Sequence, residues 1–164
     1  MKNKLFKIGG TILIIMVVVL NLHGCIIASP KSDYKMKLTK DYQLWEINRY
    51  NVVIIKTSDK EGSDARVPGK VIELNFNDEY IIARSIPTYK ARKKEFTNLM
   101  EEDKYMEYIP EEEYEFWVIE VEKDIVHGPF NEEEFKKTKE ELSVPESMEL
   151  KELKSYKKNF EYVK

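Results

Sequence analysis

Alternating apolar and polar residues predict β-strands through much of the chain after residue 33. Tyr42–Ile47 alternates, and Asn51–Lys56 is a β-branched run that is apolar on both faces, as in a strand covered on both sides. Lys70–Phe76 and Tyr80–Ile86 flank the short turn at residues 77–79, so we expect a hairpin there. Its first strand is expected to present one apolar face formed by Ile72, Leu74 and Phe76.

A different pattern follows residue 87. Charged residues dominate, and Phe96, Leu99 and Met100 recur at spacings of three and four, which predicts a helix over Tyr89–Tyr105. A second hairpin is predicted from Phe116–Val121 and Ile125–His127, and Gly128-Pro129 is expected to end it.

The C-terminal part contains a helix start. Asn131 is suited to be the N-cap, and Glu134 can reach back to it as in a capping box. That helix should end before Pro145. A last helix against the sheet is predicted from the apolar residues of the tail, which are Leu150, Leu153, Tyr156 and Phe160.

Together these elements predict an α+β domain. Strands that follow one another through short turns pair antiparallel. We therefore expect an antiparallel β-meander of about six strands in hairpins, with a helix inserted mid-chain and a capped C-terminal helix. Trp45 and Trp117 lie in alternating strands, which favours core packing for both.

The N-terminus has the pattern of an export signal. Three lysines (Lys2, Lys4 and Lys7) precede an uncharged run over residues 8–30. The run contains Leu22-His23-Gly24-Cys25, which resembles a bacterial lipobox, although His23 departs from the usual residue. We predict a signal peptide over residues 1–24, a lipidated Cys25 with a short tether over 25–33, and one globular domain over 34–164. The alternative is an uncleaved anchor, because a span needs about 20 apolar residues.

The single cysteine and the net charge give further evidence on the location and the partners of the protein. Cys25 is the only cysteine, and acyl chains on it would hold the protein at the outer face of the cell membrane. Without the three lysines of residues 1–24, the chain has 24 basic and 30 acidic residues, a net charge of −6. An acidic balance argues against nucleic acid as a partner.

No catalytic or metal-binding motif stands out. After residue 24 the chain has one histidine, His127, with no nucleophile motif beside it and no second ligand at zinc spacing. We therefore expect no catalytic residues, no metal and no cofactor. A basic cluster, formed by Lys90, Arg92, Lys93 and Lys94, is a candidate for contact with lipid head groups. The alternative is a solvated helix face.

The chain resembles an uncharacterised domain-of-unknown-function family of small bacterial lipoproteins, found mostly in Gram-positive species. The resemblance covers most of residues 32–150. It is carried by Ser32-Asp33-Tyr34, Val71-Ile72-Glu73-Leu74, Tyr80-Ile81-Ile82-Ala83, Trp117-Val118-Ile119, Gly128-Pro129-Phe130 and Glu134-Phe135. These motifs are structural, and the resemblance implies no activity and no catalytic residue.

Three functions remain open from the sequence. The leading hypothesis is a non-enzymatic surface module that binds a protein, a peptide or an envelope component. The second is a protective lipoprotein of the immunity or inhibitor type, by analogy with other small, acidic, tethered proteins. The third is a carboxylate-based hydrolase, which the missing motifs disfavour. Gene neighbourhood would separate the first two.

Overall fold

The computed structural model describes residues 33–59 and 64–162, and there the fold class is α+β. The strands are β1 (Tyr34–Lys37), β2 (Tyr42–Asn48), β3 (Asn51–Lys56), β4 (Lys70–Phe76), β5 (Tyr80–Ile86), β6 (Glu115–Glu120), β7 (Ile125–Phe130), β8 (Lys151–Glu152) and β9 (Glu161–Tyr162). The α-helices are α1 (Leu99–Glu107) and α2 (Glu132–Glu141), and 3-10 helices span Thr88–Lys93, Glu111–Glu113 and Leu153–Asn159. Within these described residues, no helix has the length and apolar character needed to cross a bilayer.

The predicted signal peptide and lipobox lie outside the described residues. This applies to Leu22, His23, Gly24 and Cys25, and to the tether up to residue 32. Their assignment stays a prediction from the sequence.

The described strands form one mostly antiparallel sheet. Its order is β7-β6-β5-β4-β3-β2-β1-β9, so most neighbours along the chain are also neighbours in the sheet, and β8 adds a short pairing to β4. The pair β3–β4 is parallel, joined through Val52 and Lys70. The sheet has nine strands rather than about six, because β1, β8 and β9 have only two to four residues and are too short to show a period of two.

The sheet curves around its main core. Buried side chains from β1 to β6 meet there, among them Met36, Tyr42, Leu44, Ile54, Leu74, Ile81 and Ile119. A second apolar cluster lies where α2 packs on the sheet, and the Phe135 and Phe116 rings stack with centroids 5.1 Å apart. The Asn131 side chain accepts a hydrogen bond from the Glu134 amide, and the Glu134 carboxylate accepts one from the Asn131 amide.

A β-bulge changes the buried face of β4. The pairing with β5 shifts register between Val71 and Glu73. As a result Val71 and Leu74 are fully buried, and Ile72 is only half-buried. The predicted face of Ile72, Leu74 and Phe76 was therefore wrong at its first residue, because a bulge adds one residue to a strand and reverses the alternation.

The prediction of one continuous helix over Tyr89–Tyr105 was wrong. The 3-10 helix ends at Lys93, and α1 starts only after Asn98, whose side chain accepts a hydrogen bond from the Glu101 amide. A local N-cap of this kind begins a helix regardless of the apolar spacing before it. Leu99 and Met100 are 79% and 81% exposed, so this spacing does not mark a core face.

One further expectation in the C-terminal half was also wrong. Gly128-Pro129 does not end the hairpin, since Phe130 still pairs with Phe116. Proline is tolerated there because β7 is an edge strand. The last helix predicted against the sheet is present as a 3-10 helix between two short strands, and its Tyr156 hydroxyl donates to the Leu74 carbonyl of β4. The Phe160 ring stacks on Tyr34 with the ring centroids 4.0 Å apart.

Candidate functional site

A groove lies on the outer face of β1, β2 and β3. Successive residues of a strand point to opposite faces, so Trp45 and Ile47 point away from the core that Leu44 joins. On β3, Val53 and Ile55 line the groove. The groove has a volume of about 1040 Å³, and its apolar floor explains why β3 is apolar on both faces.

The walls of the groove come from two connections. One wall is formed by residues 57, 59, 64, 65, 68 and 69 of the connection between β3 and β4. The other is formed by Tyr89 and Lys93 of the 3-10 helix that follows β5. The site therefore depends on segments distant in sequence, which the sheet brings to one face.

Trp45 forms the aromatic part of the floor. The Lys35 ammonium lies 4.3 Å from the centre of its ring, a cation–π contact. The indole nitrogen is covered from solvent and has no hydrogen-bond partner in the described part of the chain. Trp117 differs, because it is buried in the core and its indole N–H donates to the Ser85 hydroxyl at 3.0 Å. The core role predicted from the sequence therefore fits Trp117 but not Trp45.

An ion-pair network includes Lys56 and Asp59, two residues that line the groove. The Tyr42 hydroxyl donates to Asp124 at 2.5 Å, and the Lys56 ammonium donates to the same carboxylate at 2.7 Å. Arg66 lies 3.6 Å from Asp124 and 3.3 Å from Asp59. The hydrogen bonds from Lys56 and Tyr42 hold the pKa of Asp124 below its usual value. Burial is the main reason that the pKa of Tyr42 is raised.

A buried carboxylate anchors the 3-10 helix at the other wall. Tyr89 donates to Glu115, with both carboxylate oxygens 3.0 Å away, and the Lys90 ammonium lies 2.9 Å from the same group. Burial and this hydrogen bond raise the pKa of Tyr89 to about 12. The tyrosine thus stays neutral at ordinary pH and holds the wall in place.

The structure separates the members of the predicted basic cluster. Lys90 is bound to Glu115, and Lys93 lies at the rim of the groove. The Lys94 ammonium lies 4.1 Å from the centre of the Tyr105 ring. The side chain of Arg92 lies outside the described part. The cluster is thus not one continuous basic face of a helix.

His127 lies on β7 and does not line the groove. Its ring nitrogen Nε2 is 3.0 Å from Glu120, which also receives a hydrogen bond from Lys123 at 2.5 Å. The hydrogen bonds from Lys123 and His127 lower the pKa of Glu120. A carboxylate held ionised in this way is poorly suited to donate a proton.

Comparison with protein families gives a match to one model over residues 39–154, which is described as a protein of unknown function. The matched range contains the groove floor on β2 and β3 and both walls. Neither curated proteins nor solved structures gave a match.

Proposed function

This chain belongs to the DUF3997 family of proteins of unknown function, and we propose that it is a membrane-tethered, non-enzymatic binding module. Acyl chains on Cys25 hold it at the outer face of the membrane. The groove on β1 to β3 binds an envelope component that has an apolar chain and an anionic group. The observation that carries this proposal is the groove itself.

The chemistry of the floor favours an apolar ligand. Trp45, Ile47, Val53 and Ile55 form an apolar strip along the groove. Ile47 is exposed, Trp45 and Ile55 are half-buried, and Val53 is buried. Ile47 is 45% exposed and lines the groove together with three further apolar side chains, and exposed apolar residues that occur together mark binding sites. Removing such a strip from water is favourable by roughly 25 cal/mol per Å² of apolar surface.

The charges at the rim favour an anion. In the described part of the chain, neither Lys35 nor Lys93 forms an ion pair. By contrast, Lys56 and Asp59 are engaged with Asp124 and Arg66. The two ammonium groups are therefore the cations most available to an anionic group above the floor.

The carboxylates support binding rather than hydrolysis. Glu115 is held by Tyr89 and Lys90, and Glu120 is held by Lys123 and His127. Asp124 is held by hydrogen bonds from Tyr42 and Lys56. Since a hydrolase of the two-carboxylate type needs an acid and a base facing the substrate, these partners favour structural roles.

Binding can be tested through the intrinsic fluorescence of Trp45. We expect laurate, an anionic acyl chain, to change the emission of the full chain on titration, and dodecanol to bind more weakly. Trp45→Phe should lose the response, since Trp117 lies in the core. Ile47→Asp should weaken binding. The control is Ile125→Asp on β7, because Ile125 is 43% exposed, which is close to the exposure of Ile47, and this variant should not weaken binding. Equal responses from both aspartate variants would refute a groove site.

Anchoring can be tested separately at Cys25. Cells expressing the full chain or Cys25→Ala would be labelled with palmitate and fractionated. We expect Cys25→Ala to lose the label and to leave the washed membranes. Retention of the unlabelled variant in the membrane would instead favour an uncleaved anchor over residues 8–30.

A further inference from the structure

A second, smaller cavity adjoins the groove. It has a volume of about 290 Å³ and lies between the turn that joins β2 to β3, the start of the 3-10 helix after β5, and Glu102 and Met106 of α1. Asn48, Asn51 and Tyr89 line both cavities, so the two share a border. We call this second cavity the polar pocket, because most of the side chains that line it have polar groups.

The guanidinium group that lines the polar pocket is already compensated. Arg49 lies 3.3 Å from Asp103 and 3.3 Å from Glu107, and its guanidinium carbon is 4.3 Å from the centre of the Tyr50 ring. With two carboxylates on one guanidinium, Arg49 is less available to an anion than the lysines at the rim of the groove.

Glu102 contributes an uncompensated charge to the polar pocket. Its side chain is half-buried on α1, and in the described part of the chain its carboxylate has no ion pair and no hydrogen bond. Its neighbour Asp103, by contrast, is paired with Arg49. A partly buried charge without a partner is unfavourable, so a cation in the pocket would lower the free energy of this carboxylate.

The hydroxyl groups of the polar pocket also suit a donor. Thr88 donates its proton to the Tyr50 carbonyl at 2.7 Å, and Tyr89 donates its proton to Glu115. Each hydroxyl has one proton, so towards a ligand both of them are acceptors. A primary ammonium group has three N–H donors and no acceptor, and it therefore complements a carboxylate that lies in a pocket with hydroxyl oxygens.

We propose that the polar pocket binds the primary ammonium group of a zwitterionic amphiphile whose apolar chain lies in the groove. The anionic group of the same molecule contacts Lys93, which is on the same 3-10 helix as Tyr89. This inference rests on the proposed function, and it narrows the ligand from anionic amphiphiles in general to those that also have an ammonium group. Glu102 gives selectivity rather than most of the affinity, because partly exposed ion pairs contribute little.

Two probes isolate the contribution of the ammonium group. Dodecyl phosphoethanolamine and dodecyl ethyl phosphate have the same chain and the same singly charged phosphodiester, and the first differs only by an ammonium group on its ethyl carbon. Each would be titrated into the full chain below its micelle concentration, with the emission of Trp45 as the readout. We expect the wild type to bind dodecyl phosphoethanolamine about fivefold more tightly, which is the upper value for a partly exposed ion pair.

Three variants locate the ammonium group. Glu102→Gln should remove the preference and leave the affinity for dodecyl ethyl phosphate unchanged, which also shows that this variant is folded. Glu133→Gln, at an exposed acid on α2, is the control and should keep the preference. Asp64→Asn tests another position, since Asp64 is an exposed acid that lines the groove, and it should also keep the preference.

The outcomes distinguish this inference from the proposed function. Equal affinity of the wild type for the two probes, or a preference that persists in Glu102→Gln, would overturn the ammonium site and leave the groove as a binding site. Loss of the preference in Asp64→Asn alone would move the ammonium group to the connection between β3 and β4 and overturn the role of the polar pocket. If neither probe changed the emission of Trp45, the groove itself would be refuted as a site for amphiphiles, and the ammonium site with it.

Discussion

Gly69 shows what a single backbone position contributes. It ends the connection before β4 with φ at +89°, and its carbonyl accepts a hydrogen bond from Val52, which joins β3 to β4. A Cβ at this position would lie 2.4 Å from the Ile86 carbonyl oxygen, which belongs to the backbone. Glycine is therefore needed both for its conformation and for the close approach.

We predict that Gly69→Ala destabilises the fold by roughly 1–3 kcal/mol, the cost of a strained backbone position. Urea unfolding followed by circular dichroism would measure the change. Ala65→Ser, in the same connection, is a control that should have a small effect. If Gly69→Ala were as stable as the wild type, the connection would be able to relax, and the close approach to the Ile86 carbonyl oxygen would not require glycine.

At the scale of elements, α2 depends on its first turn and on one buried ring. The helix has ten residues, and Phe135 is its one buried side chain in the described structure. An isolated helix of this length is marginal in water. Capping at Asn131 and the packing of Phe135 on Phe116 therefore determine whether α2 covers the sheet.

We predict that Asn131→Ala lowers the free energy of unfolding by about 1 kcal/mol, as for other N-caps. Asn131→Asp retains an acceptor oxygen, so its free energy of unfolding should be close to that of the wild type. Thermal unfolding of both variants would show the difference. A loss of stability in Asn131→Asp equal to that in Asn131→Ala would contradict the capping role.

At the scale of the whole molecule, the Asp124 network joins strands that are far apart in the order of the sheet. Asp124 lies in the turn between β6 and β7, and Tyr42 and Lys56 lie on β2 and β3, several strands away in the sheet. Tyr42 is itself a buried member of the main core. The contacts of Asp124 join regions that the order of strands would otherwise keep apart.

We predict that Asp124→Asn reduces the acid sensitivity of the fold. The pKa of Asp124 is lowered in the folded state, so its ionised form stabilises the protein above the ordinary pKa of 3.8, and this stability is lost as the pH falls further. The variant should be less stable at neutral pH and should lose less on acidification. Urea unfolding at several pH values would measure this, with the exposed Glu133→Gln as control. An unchanged pH dependence would contradict it.

How much was predictable depended on the range of the interactions. The bounds of β3, β4 and β5 agree with the predicted ranges, because the pattern of apolar and β-branched residues over six or seven positions is a local property. The helix over Tyr89–Tyr105 was wrong, since the cap at Asn98 outweighed the apolar spacing. The groove was not predicted. The signal in the sequence was β3, whose apolar residues on both faces indicated that its outer face is not an ordinary solvated surface.

By itself, the sequence determined the α+β class, the main hairpins and the likeness to a family of unknown function, because these follow from local periodicity and motifs. It also indicates lipidation at Cys25, which stays a prediction. Only the tertiary structure decided on which face of the sheet Trp45 lies, which carboxylates bind lysines, and where Leu99 and Met100 lie. The physical reason is that burial and ion pairing depend on neighbours that a curved sheet brings together from distant parts of the chain.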